Sequence, residues 1–209
     1  MKIECFPVGW LRANCYVLWD EGSGECVVID PGGNPERILK FLEEQSLHCE
    51  RILLTHAHND HSEGVYGVIA GTGAKVCMHR GDVGLTMKYM RRIVRCFQEP
   101  EDTIFLKEGD EIPVGALTVR VLETPGHTPG GLCFLCEDAL FSGDTLFKGS
   151  TGRFDLDGGD FDTELRSLKK LALLEGDYRV FPGHSSPTTL QAERESNPYM
   201  KRGMEMPDT

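Results

Sequence analysis

The sequence predicts an α+β fold in which two sheets pack together and helices cover their outer faces. Three observations predict it. Strand-like apolar segments come in two runs, with helical segments between and after them, the pattern of layers built around shared cores. Apolar residues make up 40% of the 209 residues, enough to fill a sizeable core without disulfide staples. Short apolar strands are repeatedly followed by a turn and then by His or Asp, so chemistry-bearing groups sit on loops at strand ends.

The elements follow in chain order. Residues 2–8 and 14–20 are β-rich, and a strand at 25–30 ends at the strong turn Pro31-Gly32-Gly33. Asn34 can cap a helix with Pro35 in its first position, and Ile38, Leu39 and Leu42 supply its apolar face. Arg51–Thr55 is a short strand that runs into a histidine-rich loop. Residues 63–71 read as a short helix, 74–78 as a strand and 80–96 as a glycine-containing helix. A second strand-rich stretch holds Leu117–Glu123, Gly131–Cys136 and Ala139–Ser142. Residues 162–174 form a helix with Leu165, Leu168, Leu171 and Ala172 at helical spacing; Arg179–Phe181 is a last strand, and Leu190–Ser196 a short helix. No composition shift marks a linker, so residues 1–209 are read as one domain with two similar halves.

Charge and composition exclude several classes. With 33 acidic against 22 basic residues the formal net charge is −11, which disfavours nucleic acid and anionic membrane surfaces. No apolar run approaches the ~18 residues of a membrane span. The N-terminal stretch is interrupted by Arg12 and Asn14 and lacks a signal-peptide core, so a cytoplasmic protein is expected. Most of the eight cysteines lie in apolar, strand-like runs and are expected to be buried free thiols. Cys133 and Cys136, three apart on a strand, should face opposite ways.

The histidines carry the functional argument. Thr55-His56-Ala57-His58-Asn59-Asp60-His61 packs three His and one Asp into six positions on a loop. Neutral imidazole and carboxylate suit divalent metals such as Zn, Fe or Mn. A metal site predicts further ligands at strand ends, and three follow: His127 in Thr-Pro-Gly-His-Thr-Pro-Gly, Asp144 in Ser-Gly-Asp-Thr, and His184 in Phe-Pro-Gly-His. His48 and His79 lack this grammar and read as surface or packing residues.

These motifs, in this order and at these separations, resemble the metallo-β-lactamase-fold hydrolases over essentially the whole chain, and most of all the short glyoxalase II-like (hydroxyacylglutathione hydrolase-like) proteins. Gly143–Arg153 and the stretch from Thr189 to Tyr199 add to the likeness. The resemblance implies an αββα four-layer sandwich with a two-metal site at one edge of the sheets. It implies that His56, His58 and His127 hold one divalent metal ion, Zn before Fe or Mn. Asp60, His61 and His184 would hold a second, and Asp144 would bridge both. It further implies hydrolysis of acyl thioesters by a metal-bridging hydroxide, with Asp60 orienting it or carrying its proton. A lactonase or other ester hydrolase, and an iron-dependent persulfide dioxygenase, are the alternatives. Asp144 argues against β-lactamase activity, because β-lactamases of this fold have no bridging aspartate. The expected partner is a small-molecule thioester or ester.

Three further residues or runs bear on the site. Arg153 is placed to pair with a substrate carboxylate, as a basic residue does there in glyoxalase II-like proteins. Asp155 stands where those relatives have a tyrosine, which weakens the assignment to glutathione. The basic run Lys88–Arg95 reads as a solvated helix face or as a steering patch for an anionic substrate. Asp30 can support a metal ligand from behind or cap the turn that follows it.

Overall fold

The computed structural model describes residues 1–89 and 92–207. In chain order the elements are β1 (Lys2–Val8), β2 (Ala13–Trp19), β3 (Glu25–Ile29), α1 (Pro35–Glu44), β4 (His48–Leu53), α2 (Asn59–Ser62), α3 (Val65–Thr72) and β5 (Lys75–His79). They continue with β6 (Thr86–Tyr89), β7 (Arg92–Arg95), β8 (Ile104–Leu106), β9 (Glu111–Val114), β10 (Leu117–Glu123), β11 (Leu132–Cys136) and β12 (Ala139–Gly143). The last are α4 (Phe161–Ala172), β13 (Arg179–Pro182), β14 (Thr188–Thr189), α5 (Leu190–Ser196) and α6 (Pro198–Met204). One six-stranded sheet runs β1-β2-β3-β4-β5-β8, the other β14-β13-β12-β11-β10-β9. The halves match in strand number but not in pairing. β3, β4, β5 and β8 pair in parallel, whereas the second sheet is antiparallel except at β12–β13.

Strand alternation builds four layers. In β2, Tyr16 and Leu18 point into a core shared with Phe134 and Phe141 of the second sheet, while Cys15 and Val17 face the helices. Val27 and Ile29 likewise point inward, and Cys26 and Val28 outward onto the layer formed by α1 and α3. On the second sheet, Leu140 and Val180 pack outward against Leu165 and Leu168 of α4. The αββα expectation therefore holds, with three apolar cores between the layers. Cys133 lies under α4 and Cys136 lies in the core between the sheets, as the strand period requires. Seven of the eight cysteines are buried, Cys5 is exposed, and all are free thiols.

Two local expectations are corrected. Residues 80–96 are not a helix but a single 3₁₀ turn at Arg80–Asp82 followed by the β6–β7 hairpin, a separate two-stranded sheet. The β-branched Ile93 and Val94 stand opposite Lys88 and Met87 across its strands. The basic run is therefore a hairpin rather than a solvated helix face, and Met90 and Arg91 of that run lie outside the described residues. Asn34 does precede Pro35 at the start of α1, but its backbone is left-handed (φ 49°) and its side chain does not cap the helix. Its Oδ1 accepts from the Gly9 N–H instead, tying the β1–β2 turn to the turn after β3. Among the described residues no helix is long and apolar enough to cross a membrane.

Candidate metal centre

Every predicted ligand lies on a loop or short turn at one end of the two sheets. His56 and His58 follow β4, Asp60 and His61 sit on α2, His127 follows β10, Asp144 follows β12 and His184 follows β13. The two sheets are joined at this end. Tyr16 of β2 donates its hydroxyl to the Pro182 carbonyl (2.7 Å), and Asn14 Nδ2 donates to the carbonyls of Pro182 and Ser185 (2.9 Å each). Glycine precedes His184 for want of room: a Cβ at Gly183 would lie 2.3 Å from Asp144 Oδ1 and 2.7 Å from His61 Cε1.

Donor atoms of His56, His58 and His127 lie within 4.8 Å of one another, as do those of Asp60, His61 and His184. His58 Nδ1 is 3.0 Å from His127 Nε2, and His184 Nε2 is 3.1 Å from Asp60 Oδ2. Asp144 stands between the groups. Its Oδ1 is 3.4 Å from His61 Nε2, and its Oδ2 is 3.6 Å from His127 Nε2 and 3.8 Å from His184 Nε2. The structure thus brings all seven predicted ligands together. Donor atoms of Asp30, His56 and His61 also lie within 4.8 Å, but the Asp30 carboxylate is already occupied.

Asp30 Oδ1 accepts from the Thr55 N–H (2.7 Å), and Oδ2 accepts from the Thr55 hydroxyl (2.6 Å) and faces His61 Nδ1 at 2.9 Å. These bonds set tautomers. The Thr55 hydroxyl has one proton and gives it to Asp30, so it accepts from His56 Nδ1 at 3.1 Å. His61 Nδ1 donates to Asp30, and His127 Nδ1 donates to the Arg153 carbonyl at 2.5 Å. The Nε2 lone pairs of all three rings are thereby turned to the centre. His56 Nε2, His58 Nε2 and Asp144 Oδ1 are buried with no hydrogen-bond partner, an expensive state for polar atoms unless a cation takes their lone pairs. The donor set fits divalent metal ions.

Electrostatics divides the two groups. Burial, reinforced by neighbouring imidazoles, pushes His56 well below its ordinary pKa and His58 down to about 4, so both rings are neutral donors. Burial also disfavours the charged form of His61, but Asp144 and Asp30 outweigh it and raise its pKa well above the usual value. The Asp60 hydrogen bond, opposed by burial, raises that of His184. Burial pushes Asp144 the other way, yet His61, His127 and His184 hold its carboxyl well below the ordinary range. A cation entering beside His61 and His184 therefore competes with protons more than one entering beside His56 and His58.

Two buried acids escaped the sequence analysis. Asp82 Oδ2 accepts from the Ala57 N–H (2.9 Å) and the Thr128 hydroxyl (3.0 Å), and Oδ1 from the Gly130 N–H (2.6 Å). One carboxylate therefore clamps the His56–His58 loop to the His127 loop. Glu164 of α4 lies fully buried behind the His127 loop, where Gly126 (φ 142°) leaves no room for a Cβ: it would meet Glu164 Cα at 2.3 Å. The Thr151 hydroxyl contacts both the Thr145 carbonyl (2.7 Å) and Glu164 Oε1 (2.5 Å). It can donate to only one, so a protonated Glu164 completes the pair as donor.

Burial pushes Glu164 from its usual 4.5 up to about 8, against its hydrogen bond with Thr151. An acid whose folded pKa is raised costs stability as pH climbs between the unfolded and folded values. Glu164→Gln, neutral throughout, is expected to be more stable than wild type by about 4 kcal/mol at pH 8, with the gain vanishing near pH 4. Calorimetric melting at the two pH values checks this; a difference that does not change with pH would mean that Glu164 is charged.

The centre opens into a cavity of about 510 Å³, lined among others by Leu11, Met87, Lys88, Phe147 and Arg153. Arg153 reaches this wall, but its guanidinium holds Asp155 with two bonds (2.8 and 2.9 Å), and both side chains are exposed. Its carbonyl is what touches the centre, through His127. His79 accepts from the Gly81 N–H and His48 is exposed, so neither joins the site.

The model of the metallo-beta-lactamase superfamily matches residues 8–184, a span that contains every one of these donors. The chain belongs to the metallo-beta-lactamase superfamily. Within this superfamily it is 32% identical to hydroxyacylglutathione hydrolase GloC of Haemophilus influenzae, over 96% of the chain and 98% of that protein. Among solved structures it is similar to BLEG-1, described as a B3 metallo-beta-lactamase (34% identity, TM-score 0.84, 95% of this chain and 99% of that one). It is similar also to TTHA1623 in a di-iron-bound form (34%, TM-score 0.80, 94% and 99%). With the superfamily fold and its His/Asp clusters, the chain is a superfamily member equipped to bind divalent metal.

Proposed function

We propose that residues 1–209 act as one metal-dependent hydrolase domain that cleaves acyl thioesters at a two-metal centre. In this reading His56, His58 and His127 hold one divalent ion, Asp60, His61 and His184 a second, and Asp144 serves both. The observation that carries it is the set of buried, unpartnered His56 Nε2, His58 Nε2 and Asp144 Oδ1 in the midst of the other donors. Two cations bound there supply a nucleophile from water near neutral pH and polarise a carbonyl. Zinc is the first candidate, and the di-iron form of TTHA1623 supports iron as well.

The chain's own groups do the rest. Asp60 lines the cavity and its Oδ2 is hydrogen-bonded to His184, so it is placed to accept and relay a proton. Asp30 and the Arg153 carbonyl keep His61 and His127 from turning. Lys88 and Arg153 line the side of the cavity where an anionic thiol carrier enters. For Arg153 to take a substrate carboxylate, the carboxylate has to displace Asp155. That pair is exposed and screened by solvent, so the exchange is easy.

Similarity to GloC supports the thioester reading, and similarity to BLEG-1 favours a second one, β-lactam hydrolysis, against which Asp144 speaks. The test pairs elemental analysis with assays on protein purified without added metal. Near two metals per chain and oxygen-independent release of thiol from S-lactoylglutathione or simpler thioesters is the expected result. Two metals with turnover of a chromogenic cephalosporin and none of any thioester would replace the thioester reading with the second. One iron and oxygen-dependent turnover of a persulfide would overturn both.

A further inference from the structure

Beside the centre lies a second recess of about 290 Å³ whose apolar lining is Trp10, Leu11, Met87 and Val94. It is continuous with the cavity over the metal ligands, since Leu11, Asp60 and Met87 line both. Trp10 and Leu11 sit on the β1–β2 turn, and Met87 and Val94 stand directly opposite each other across the β6–β7 hairpin. The exposure of these side chains is unusual for their size: Trp10 is 81% exposed, Leu11 47% and Val94 37%. No described element covers them. The charged groups on this recess are Asp60 and Glu63, both acids, whereas the cations Lys88 and Arg153 lie in the neighbouring cavity.

We propose that this recess is the acyl subsite of the enzyme and that it selects thioesters carrying an unbranched apolar acyl chain. The inference rests on the hydrolase reading above and narrows its substrate class. Glu63 lines this recess alone and the cations line only the neighbouring cavity, so an anionic thiol carrier lies toward Lys88 and Arg153 and the neutral acyl arm lies between Trp10 and the hairpin. Asp60 is at the junction, which places the scissile carbonyl where the two arms meet. Hydrolysis then adds water across the C–S bond, giving the carboxylic acid in the recess and the free thiol in the wider cavity. Burial of each further methylene between Trp10, Met87 and Val94 should raise transition-state affinity until the recess is filled.

The experiment is a chain-length series of N-acetylcysteamine thioesters, from acetyl to octanoyl, with the metal-loaded protein. kcat/KM is expected to rise two- to four-fold, approximately, per added methylene. Trp10→Ser and Val94→Asp should each reduce the octanoyl-to-acetyl ratio about tenfold or more; both side chains are exposed, so the fold tolerates the changes. A flat or falling series overturns the proposal. A readout independent of turnover uses the protein with Trp19→Phe, in which Trp10 is the one remaining tryptophan. Its fluorescence is titrated with the neutral amides butanamide, hexanamide and octanamide. Saturation with tighter binding at each length supports the subsite, and a response indifferent to length overturns it. If no thioester is turned over while this titration shows length dependence, the hydrolase reading fails and the apolar subsite stands.

Discussion

Asp144→Ala is expected to lower kcat/KM by roughly 10³-fold or more and to leave about one metal per chain or fewer, with the fold retained. The reason is positional. Among the described residues Asp144 is the one carboxylate whose two oxygens face histidines of both groups, at 3.4 Å to His61 and 3.6 Å to His127. Removing it takes a negative charge from between two would-be dications and leaves them repelling each other in a largely buried site. Circular dichroism, elemental analysis and thioester turnover on one sample check the three parts. Undiminished activity with two metals bound would remove Asp144 from its assigned role.

The second large effect is expected at Asp82, which touches no proposed ligand side chain. Asp82→Asn has no satisfactory orientation. Its amide nitrogen must face either the Gly130 N–H or the Ala57 N–H, both donors. Each buried donor left unpaired costs about 1–3 kcal/mol. A loss of about 3 kcal/mol in stability is expected, with metal affinity at His56, His58 and His127 falling about 10–100-fold as their loops separate. Chemical denaturation and metal competition by a chromogenic chelator measure the two effects. Loss of stability with undiminished metal affinity would make the clamp a packing feature alone.

The ligands were legible because each obeys a local rule: apolar strand, turn, donor. His127, Asp144 and His184 lie far apart in the chain, but each announces itself within five residues. Asp82 announces nothing. Its partners are 25, 46 and 48 residues away, and two of them are backbone N–H groups that any residue would present. Glu164 is hidden for a related reason, since a glutamate among Asp162, Thr163 and Arg166 on an amphipathic helix looks solvated. The layers were readable where both faces of a strand are buried differently, as in β2 and β3. The β6–β7 hairpin was misread because it has almost no buried face: Ile93 is 74% exposed, so no alternation of period two was printed on it. The three-residue β8 and four-residue β9 are too short to carry a period at all.

The bonds from Asn14 and Tyr16 to the Pro182–Ser185 segment have a consequence for how the protein is made. As the chain leaves the ribosome, His56 and His58 emerge first and His127 follows, so one group of donors is complete well before the chain ends. His184 is delivered only near the end, and it is held in place by residues that emerged among the first twenty. Bringing those remote segments together is the slow, loop-closing part of folding. On the two-metal proposal, the nascent protein would therefore carry half a site for a period, and the other half would be completed only as the two sheets close on each other. Metal supplied during synthesis, and not only afterwards, would then decide how much fully loaded protein forms.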